Sequence, residues 1–413
     1  MASRSPLLVI YNPVCGDCTA EAFFNEHVFP RLEEAHLPIV QKVATESAGH
    51  SGTIVRQFLQ QYEEDVTVIL GSGDGTLHEI INALSLESQT GAHEKVASPS
   101  IRLVLIPCGT ANALYCSLFK PDAMHEGPAY RLRSLEAFIN DSSTVPLTLA
   151  LTTISSPTST QQSRHVSAVV TSTALHASIL HDSENLRKEM PGIERFKVAA
   201  WNNITRWYSS QIRLLPTPCN STGAVEIYDP DTKTFIAHQG SDEHGIVDMN
   251  GPFEYFLSTV NVDRLEPAFR ITPIASEIAP AEASLDIVII RPHRDPTYIT
   301  DTIDVRKAFA EKATAVLTAA YQDGNHINLK YTNDGKVTTE GTGPTVVEYI
   351  RCGGWEWIPV SPPLWIFTHT LIANRMMLMK RLTFYARMEP YSRLKKAGRL
   401  YAMQHYQQVN QFF

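Results

Sequence analysis

The sequence predicts two domains: an α/β domain with a parallel sheet, followed by a domain that is mostly antiparallel β. In residues 1–145, apolar β-branched runs alternate with helical patterns at least four times, which is typical of a parallel sheet covered on both faces. In residues 146–360, most segments are predicted to be strands rather than helices. A chain of 413 residues is long enough for one core in each domain.

The N-terminal elements follow from hydrophobic periodicity and from turn residues. Each predicted strand is a short apolar run, and each predicted helix has apolar residues on one face. The predicted strands are 6–11, 38–45, 65–71 and 101–107, and the predicted helices are 20–36, 48–62, 76–85 and the end of 108–119.

The second domain is predicted from six β-rich segments, with a helical interruption at 185–208. A polar, low-complexity stretch at 155–163 indicates a hairpin insertion or loop. The β-rich segments are 145–157, 164–177, 223–230, 252–263, 284–292 and 344–360.

Composition excludes several classes of protein. Hydrophobic residues make up 43% of the chain and charged residues 19%, as in ordinary globular proteins. Six cysteines are too few for a disulfide scaffold, and the lone C-x-x-C of Cys15 and Cys18 lacks the second ligand pair of a zinc site. No run of about 18 apolar residues occurs, so no membrane-spanning helix is predicted.

Charge is distributed unevenly along the chain. Residues 361–413 contain eight Lys and Arg against one acidic residue, although the whole chain has a net charge of -8. Within this tail, residues 369–388 have the pattern of a basic amphipathic helix, which would bind an anionic membrane surface. A packed or disordered C-terminal appendage is the alternative. We predict a membrane rather than a nucleic acid as the partner of the tail.

Glycine-rich loops follow two of the predicted strands. "GSGDGT" (71–76) and "PCGTANAL" (107–114) both lie between a strand and a helix, where backbone N–H groups can bind phosphate. Neither is a Walker A or a G-x-G-x-x-G motif. With "YNPVCGDC" (11–18) and "TESAGH" (45–50), they make four polar loops at the carboxyl ends of parallel strands, where ligands of such sheets bind.

Asp74 is an unexpected residue in a phosphate-binding loop, because a carboxylate repels phosphate. It becomes useful if it accepts the proton of an alcohol that attacks the terminal phosphate of a nucleotide. A divalent cation would offset the repulsion. The alternative interpretation is that Asp74 caps the helix that follows it.

The four loops together resemble those of the diacylglycerol kinase catalytic superfamily, and within it the sphingosine or sphingoid long-chain base kinases. The resemblance rests on "NPVCG" (12–16), "TESAGH" (45–50), "GSGDGTLHEIINAL" (71–84) and "PCGTANAL" (107–114), in this order over about the first 120 residues.

The resemblance implies a Rossmann-like nucleotide domain similar to those of phosphofructokinases and NAD kinases, with a lipid-binding β-sandwich behind it. It implies ATP and Mg²⁺ as cofactors, a sphingoid base as acceptor, and a cytoplasmic enzyme peripheral to intracellular membranes. Asp74 would be the base. By position in the motifs, the predicted nucleotide-binding residues are Asn12, Pro13, Gly16, Thr45, Ser72, Gly73, Gly75, Thr76, Glu79, Gly109, Thr110, Asn112, Arg187 and Arg195.

Asp182, in "HASILHDSENLR" (176–187), is the residue predicted to bind the amino or hydroxyl group of the lipid. The sequence departs from the family where a late D-G-E motif is expected, since the nearest match is Asp334-Gly335-Lys336 and precedes the strand that the motif should follow. Among enzymes, the alternative is a diacylglycerol or related lipid kinase. The missing motif motivates a second alternative, a catalytically impaired, nucleotide-binding interaction module at a membrane. Oligomeric state is not predicted.

Overall fold

The structure is a computed structural model that describes residues 5–85, 100–125, 127–156, 159–190, 192–218, 220, 222–280, 283–360, 383–388 and 400–401. Within these ranges, no helix combines the length and the apolar character that crossing a bilayer requires.

A parallel sheet forms the centre of the N-terminal half, as the alternation of strands and helices predicts. The first strand pairs in parallel with the second and the third, and the third pairs with the fourth. All seven residues of the third strand are buried, because helices cover both faces of the sheet. The strands are β1 (Leu7–Tyr11), β2 (Gln41–Ala44), β3 (Val66–Ser72) and β4 (Ile101–Pro107), in the order β2-β1-β3-β4.

Helices cover this sheet with two separate apolar clusters. Val55 and Ile80 pack with Leu8 and Val68 on one face, whereas Phe24 packs on the other. The helices of this half are α1 (Ala20–Phe23), continued by a π-helical segment (Phe24–Val28) into α2 (Phe29–Glu34), then α3 (His50–Leu59), α4 (Asp74–Ser85), α5 (Ala113–Leu118), α6 (Pro128–Arg131) and α7 (Arg133–Ile139).

Two six-stranded antiparallel sheets form the second half, which confirms the predicted β-sandwich. Ile212, Phe256, Ile287 and Trp355 pack between the sheets, with the rings of Phe256 and Trp355 5.0 Å apart. The strands of the two sheets are β5 (Ala150–Ser156), β6 (Ser159–Ser167), β7 (Val170–Thr173), β8 (Ser210–Leu215), β9 (Glu226–Asp229), β10 (Thr234–Ala237), β11 (Val247–Asn250), β12 (Tyr255–Thr259), β13 (Leu285–Ile290), β16 (Val347–Cys352), β17 (Gly354–Pro359) and β18 (Thr383–Met388). A separate two-stranded sheet consists of β14 (Lys330–Tyr331) and β15 (Val337–Thr338), and the last strand, β19 (Leu400–Tyr401), belongs to the N-terminal sheet. The two sheets have the orders β10-β9-β16-β13-β12-β7 and β11-β8-β17-β18-β5-β6.

Three longer helices accompany the sandwich, and the sequence patterns located them only in part. The predicted interruption at 185–208 begins eleven residues too late, because the first helix starts at Ala174. The last helix was not predicted, although Thr302 caps it by accepting a hydrogen bond from Val305 N at 3.3 Å. The helices are α8 (Ala174–Leu186), α9 (Glu194–Asn203), the short α10 (Ile274–Glu277) and α11 (Ile303–Ala320), with 3₁₀ turns at Pro292–Arg294 and Asn325–Asn328.

The C-terminal segment contributes strands to both halves. β18 lies between β17 and β5, and β19 pairs in parallel with β4 at the edge of the N-terminal sheet. The amphipathic helix predicted over 369–388 is therefore wrong for 383–388, and the rest of it lies outside the described residues. A strand forms there because its backbone groups find partners on both sides.

The two halves are joined by a polar clamp and by a continuous core. The Asn82 side chain, on α4, donates to Val166 O and accepts from Val166 N, both at 2.8 Å, and so satisfies the backbone of the edge strand β6. Around this contact, one apolar cluster runs from the N-terminal sheet to α11. These contacts fix the position of α4 relative to the second domain.

Two fully buried glutamates in the second domain differ in their partners. Arg291 and Arg294 surround Glu348 at 2.7 and 3.2 Å. Burial acts to raise the pKa of Glu348, but these arginines outweigh it and lower the pKa. Glu254 lies near Trp207 and Arg306, yet neither carboxyl oxygen makes a hydrogen bond of normal geometry. Burial raises the pKa of Glu254 from 4.5 to about 9.

Glu254→Gln should therefore raise the melting temperature at pH 8, measured by calorimetry. Because the folded state keeps a proton on Glu254 that the unfolded state releases above about pH 4.5, this group lowers stability as pH rises from about 4.5 to 9. The variant should lose that part of the pH dependence. Glu348→Gln is the matched control and should lower the melting temperature, because it leaves two arginines without their carboxylate. Equal effects of both substitutions would contradict this account.

Candidate active site

A cavity of about 750 Å³ lies between the two halves, and all four predicted polar loops contribute to its wall. The loops follow β1, β2, β3 and β4, whose carboxyl ends meet at one edge of the parallel sheet. The predicted convergence of these loops is confirmed. Their wall residues are Asn12, Val14, Cys15 and Gly16, then Thr45 to Ala48, then Gly73 to Thr76 with Glu79, and Gly109 to Ala111.

Glycines allow the loops to touch each other through their backbones. A Cβ added to Gly109 would lie 2.1 Å from Gly73 Cα, so the turns after β3 and β4 are in direct contact. Gly16 has a φ of +55°, and a Cβ there would lie 2.3 Å from Cys108 O. No other residue fits these three positions without moving a loop.

Asp74 directly follows Gly73 at this contact. It is the first residue of α4 and is buried, and its carboxylate accepts hydrogen bonds from the backbone N–H groups of Asn112 and Ala113 at the start of α5. Burial raises the pKa of Asp74 well above the ordinary range, although these N–H groups act in the opposite direction. The acid thus caps α5 rather than its own helix, a contact that the helix-cap interpretation of the sequence did not include.

Polar side chains surround Asp74 on the same side of the cavity. Asn12 Nδ2 donates to Thr76 Oγ1 at 3.4 Å, which connects the first loop to the start of α4. Glu79 accepts from Ser51 Oγ at 2.9 Å, which connects α4 to α3. The first turn of α4 also contributes backbone N–H groups that have no intrahelical partner.

Most of the predicted site residues lie on the wall of this one cavity. The exceptions have other contacts: Ser72 Oγ donates to Gly73 O at 2.7 Å, and Asn112 exchanges two hydrogen bonds with Gly109 at 3.0 and 2.7 Å. Pro13 also lies outside the wall. The predicted residues on the wall are Asn12, Gly16, Thr45, Gly73, Asp74, Gly75, Thr76, Glu79, Gly109, Thr110, Arg187 and Arg195.

Asp182 is not on the cavity wall. Its carboxylate accepts from Asn203 Nδ2 at 2.7 Å and lies 3.1 Å from His181 Nδ1, so it joins α8 to α9. Leu180 and Glu184, two positions to either side, are the neighbours that line the cavity. The pattern around residue 182 identified the right helix but not the side chain that faces the cavity.

The second domain supplies a mostly apolar wall that the sequence did not reveal. It comes from α8, α9, α11 and the segment 265–269. In the sequence, the spacing of the apolar residues in these helices is the same as that of helices packed in an ordinary core. Its apolar residues are Ile179, Leu180, Ile193, Phe196, Ala200, Trp201, Ile204, Leu265, Phe269 and Leu317.

Charged and titratable side chains of the α8–α9 region also line the cavity. Arg195 is buried against the Phe196 ring, and burial, with the nearby Arg187 charge, lowers the pKa of Arg195. Arg187 is more exposed and pairs with Glu184 at 2.9 Å. His176 is buried with Nδ1 2.8 Å from Ser172 Oγ, and burial lowers its pKa to about 4, so it is neutral at physiological pH.

The segment Asp334-Gly335-Lys336, the nearest match to the D-G-E motif, lies outside this cavity. Asp334 and Lys336 form an exposed ion pair in the turn between β14 and β15, where Gly335 has a φ of +76°. None of the three lines the cavity. The D-G-E equivalent that the resemblance calls for is therefore not supplied by Asp334-Gly335-Lys336.

Comparison with known proteins agrees with the site. Residues 6–139 match the diacylglycerol kinase catalytic domain. The chain is 35% identical over 109 residues to human sphingosine kinase 2, which is 26% of this chain and 15% of that protein. It is 29% identical over 216 residues to sphingosine kinase 1 of Arabidopsis thaliana, which is 51% of this chain and 40% of that protein.

Similarity extends to one fungal relative and to solved structures. Sphingoid long chain base kinase 5 of Saccharomyces cerevisiae is 35% identical over 112 residues, 27% of this chain and 15% of that protein. The crystal structure of a diacylglycerol kinase from Bacillus anthracis covers 97% of this chain and 99% of its own, with 13% identity and a TM-score of 0.47. The matches thus span less than half the length of these curated relatives. The similarity to the diacylglycerol kinase catalytic domain thus lies in residues 6–139.

Proposed function

We propose that this protein is an ATP- and Mg²⁺-dependent lipid kinase that phosphorylates the primary hydroxyl of a sphingoid base to give its 1-phosphate. The observation that carries the proposal is the cavity itself. One side is polar and built from glycine-containing loops around Asp74, and the other is apolar and built from α8, α9 and α11. A nucleotide and a lipid are the pair of substrates that such a cavity suits.

The polar side would bind the phosphates of ATP. Backbone N–H groups at the start of α4 lie at the positive end of the helix dipole, which favours an anion. Gly73, Gly75 and Gly109 leave the backbone accessible, and Asn12 and Thr45 add side-chain donors on the same wall. Arg187 and Arg195 would bind phosphate oxygens from the opposite side.

Asp74 would act as the general base. Its buried position raises its pKa, so the carboxylate is a better proton acceptor than an exposed aspartate. It would accept the proton of the lipid hydroxyl as that oxygen attacks the terminal phosphorus of ATP. Its two backbone partners on α5 hold the carboxylate in place.

The chemistry that a bound Mg²⁺ would supply is neutralisation of charge on the phosphates. The described residues contain no group of three or more His, Cys, Asp or Glu side chains placed to bind a metal. Phosphate and water would therefore supply most of its ligands, as is usual for Mg²⁺. Glu79, Glu46 and Asp74 are the carboxylates on the polar side that fit this role.

The apolar side would hold the hydrocarbon chain of the lipid. Burying an alkyl chain there gains about 0.8 kcal/mol per CH₂. Asp182, the residue predicted to bind the charged amine, faces Asn203, and Leu180 lines the cavity instead. This feature favours the second candidate, a kinase for an uncharged acceptor such as diacylglycerol.

We also propose that the protein works as a cytoplasmic enzyme at the surface of intracellular membranes, with the basic segment around Arg375, Lys380 and Arg381 attracted to anionic lipid. Deleting the tail is not a clean test, because it removes β18 from the middle of a sheet. Exchanging these three residues for glutamine should weaken co-sedimentation with vesicles containing phosphatidylserine but not with neutral vesicles. Unchanged binding to both would contradict the membrane proposal.

Asp74→Asn should reduce phosphate transfer from labelled ATP by about 10²–10⁴-fold. The amide oxygen can still accept hydrogen bonds from α5, so folding and the nucleotide-induced shift in melting temperature should persist. Wild-type kcat/KM should rise with pH through an apparent pKa above that of an ordinary aspartate, since the base must be deprotonated. Asp182→Asn is the matched control and should keep kcat. Full activity of Asp74→Asn would eliminate the role of Asp74 as base.

A panel of acceptors should identify the substrate. With sphinganine, phytosphingosine, ceramide and diacylglycerol as acceptors, we expect transfer to the sphingoid bases. Transfer to diacylglycerol alone would favour the second candidate. If ATP binds and no lipid is phosphorylated, the chain is the nucleotide-binding interaction module that the missing D-G-E motif suggested.

A further inference from the structure

Two cysteines lie against each other beneath the polar loops. Cys15 is in the loop after β1 and lines the cavity, and Cys108 follows β4 and is buried. The Cys15 thiol lies 3.0 Å from Asn12 O, and Cys15 packs against the apolar cluster that contains Cys108. In the sequence, Cys15 forms a C-x-x-C pattern with Cys18, but in the fold it lies near Cys108, a cysteine more than ninety residues away.

Arg131 holds Cys108 from the other side. Its Nη2 donates to Cys108 Sγ at 3.3 Å, and its Nε donates to Pro107 O at 3.1 Å. The guanidinium lies 3.7 Å from the centre of the Phe23 ring, so the arginine is fixed from two directions. A cation in this position stabilises a thiolate.

We propose that Cys15 and Cys108 are a redox modification site that peroxide converts to a disulfide across the first and fourth loops. Gly16 brings the two loops into contact, because a Cβ on it would lie 2.3 Å from Cys108 O. That contact places the neighbouring cysteines side by side. Cys18 is the competing partner in sequence, but its side chain is exposed and it has a φ of +65°.

Protonation of the pair supports this chemistry. The Cys15 thiol, which hydrogen-bonds to Cys108, and the Arg131 charge together lower the pKa of Cys108, against burial and the more distant Asp17. The same hydrogen bond raises the pKa of Cys15. Of the two thiols, Cys108 is thus the one that loses its proton more readily.

The reaction balances with hydrogen peroxide as oxidant. The thiolate attacks one peroxide oxygen, the O–O bond breaks, and a sulfenic acid forms as hydroxide leaves. The neighbouring thiol then attacks the sulfenic sulfur, its S–H proton is lost, and a second hydroxide leaves. Overall, two thiols and one peroxide become one disulfide and two waters.

A disulfide here would change the shape of the phosphate-binding side. The two sulfurs must come to about 2.05 Å, with the Cα atoms about 4.4–6.8 Å apart. Gly16 already touches Cys108, so the first loop must turn for the sulfurs to approach, and Asn12 and Gly16 on the wall turn with it. We expect oxidation to weaken nucleotide binding and to stop turnover reversibly.

Peptide mapping after peroxide treatment tests the bond itself. The full-length wild-type chain should lose two hydrogens in mass and give a peptide linking residues 15 and 108, which dithiothreitol cleaves. Cys18→Ser is the matched control and should form the same link. A Cys15–Cys18 link, or no link at peroxide doses that oxidise exposed thiols, would overturn the proposal, and this result does not depend on any kinase activity.

The functional consequence rests on the proposed nucleotide site and has its own readout. Oxidised wild type should lose most of its ATP-induced shift in melting temperature and regain it with dithiothreitol. Cys15→Ser and Cys108→Ala, each compared with its own untreated form, should be insensitive to peroxide. If the link forms and ATP binding is unchanged, the site is not regulatory. If reduced wild type does not bind ATP at all, the proposed function fails instead.

Discussion

The candidate site depends on one backbone contact, between the turn at Gly73 and the turn at Gly109. Because neither residue has a Cβ, the two strand-to-helix turns meet directly, and the start of α4 lies beside the start of α5. Asp74 can therefore cap α5 while remaining at the head of α4. A methyl group at either glycine would separate the turns and remove the carboxylate from its N–H partners. The glycines thus have a structural role as well as leaving room for a phosphate.

The second constraint is the attachment of the two halves. α4 carries Asp74 at its first turn and Asn82 two turns later, and Asn82 binds both backbone groups of Val166 on β6. One rigid helix therefore links the acid to the domain that supplies the apolar wall. The cavity is polar on one side and apolar on the other because the N-terminal half supplies the polar loops and the second half supplies the apolar helices.

Buried acids in this chain show how surroundings decide what a carboxyl group does. Two arginines lower the pKa of Glu348, whereas burial raises the pKa of both Glu254 and Asp74, and at Asp74 it outweighs two backbone N–H donors. The same comparison applies to sulfur, since Cys108 has an arginine and a second thiol beside it. Residue type alone distinguishes none of these.

The sequence by itself determined the parallel sheet, the β-sandwich and the convergence of the four loops. Those features follow from local patterns: apolar strands, helical periodicity and the rule that parallel strands end at one edge of a sheet. The sequence also singled out Asp74 as a candidate residue, because an acid is unusual in a glycine-rich turn between a strand and a helix. Helix α11 was not predicted, although alanine is a strong helix former and its buried residues Phe309, Ala313 and Val316 recur at helical spacing.

Only the tertiary structure decided which side chains meet. Asp182 lies on the right helix but faces Asn203, because a rotation of about 100° per residue separates neighbouring positions on a helix. The C-terminal segment pairs as a strand with residues more than two hundred positions away, which no local pattern encodes. Cys15 lies beside Cys108 rather than Cys18 for the same reason. The packing of the whole sheet determines which loops are in contact, and this cannot be read from the spacing of residues in the sequence.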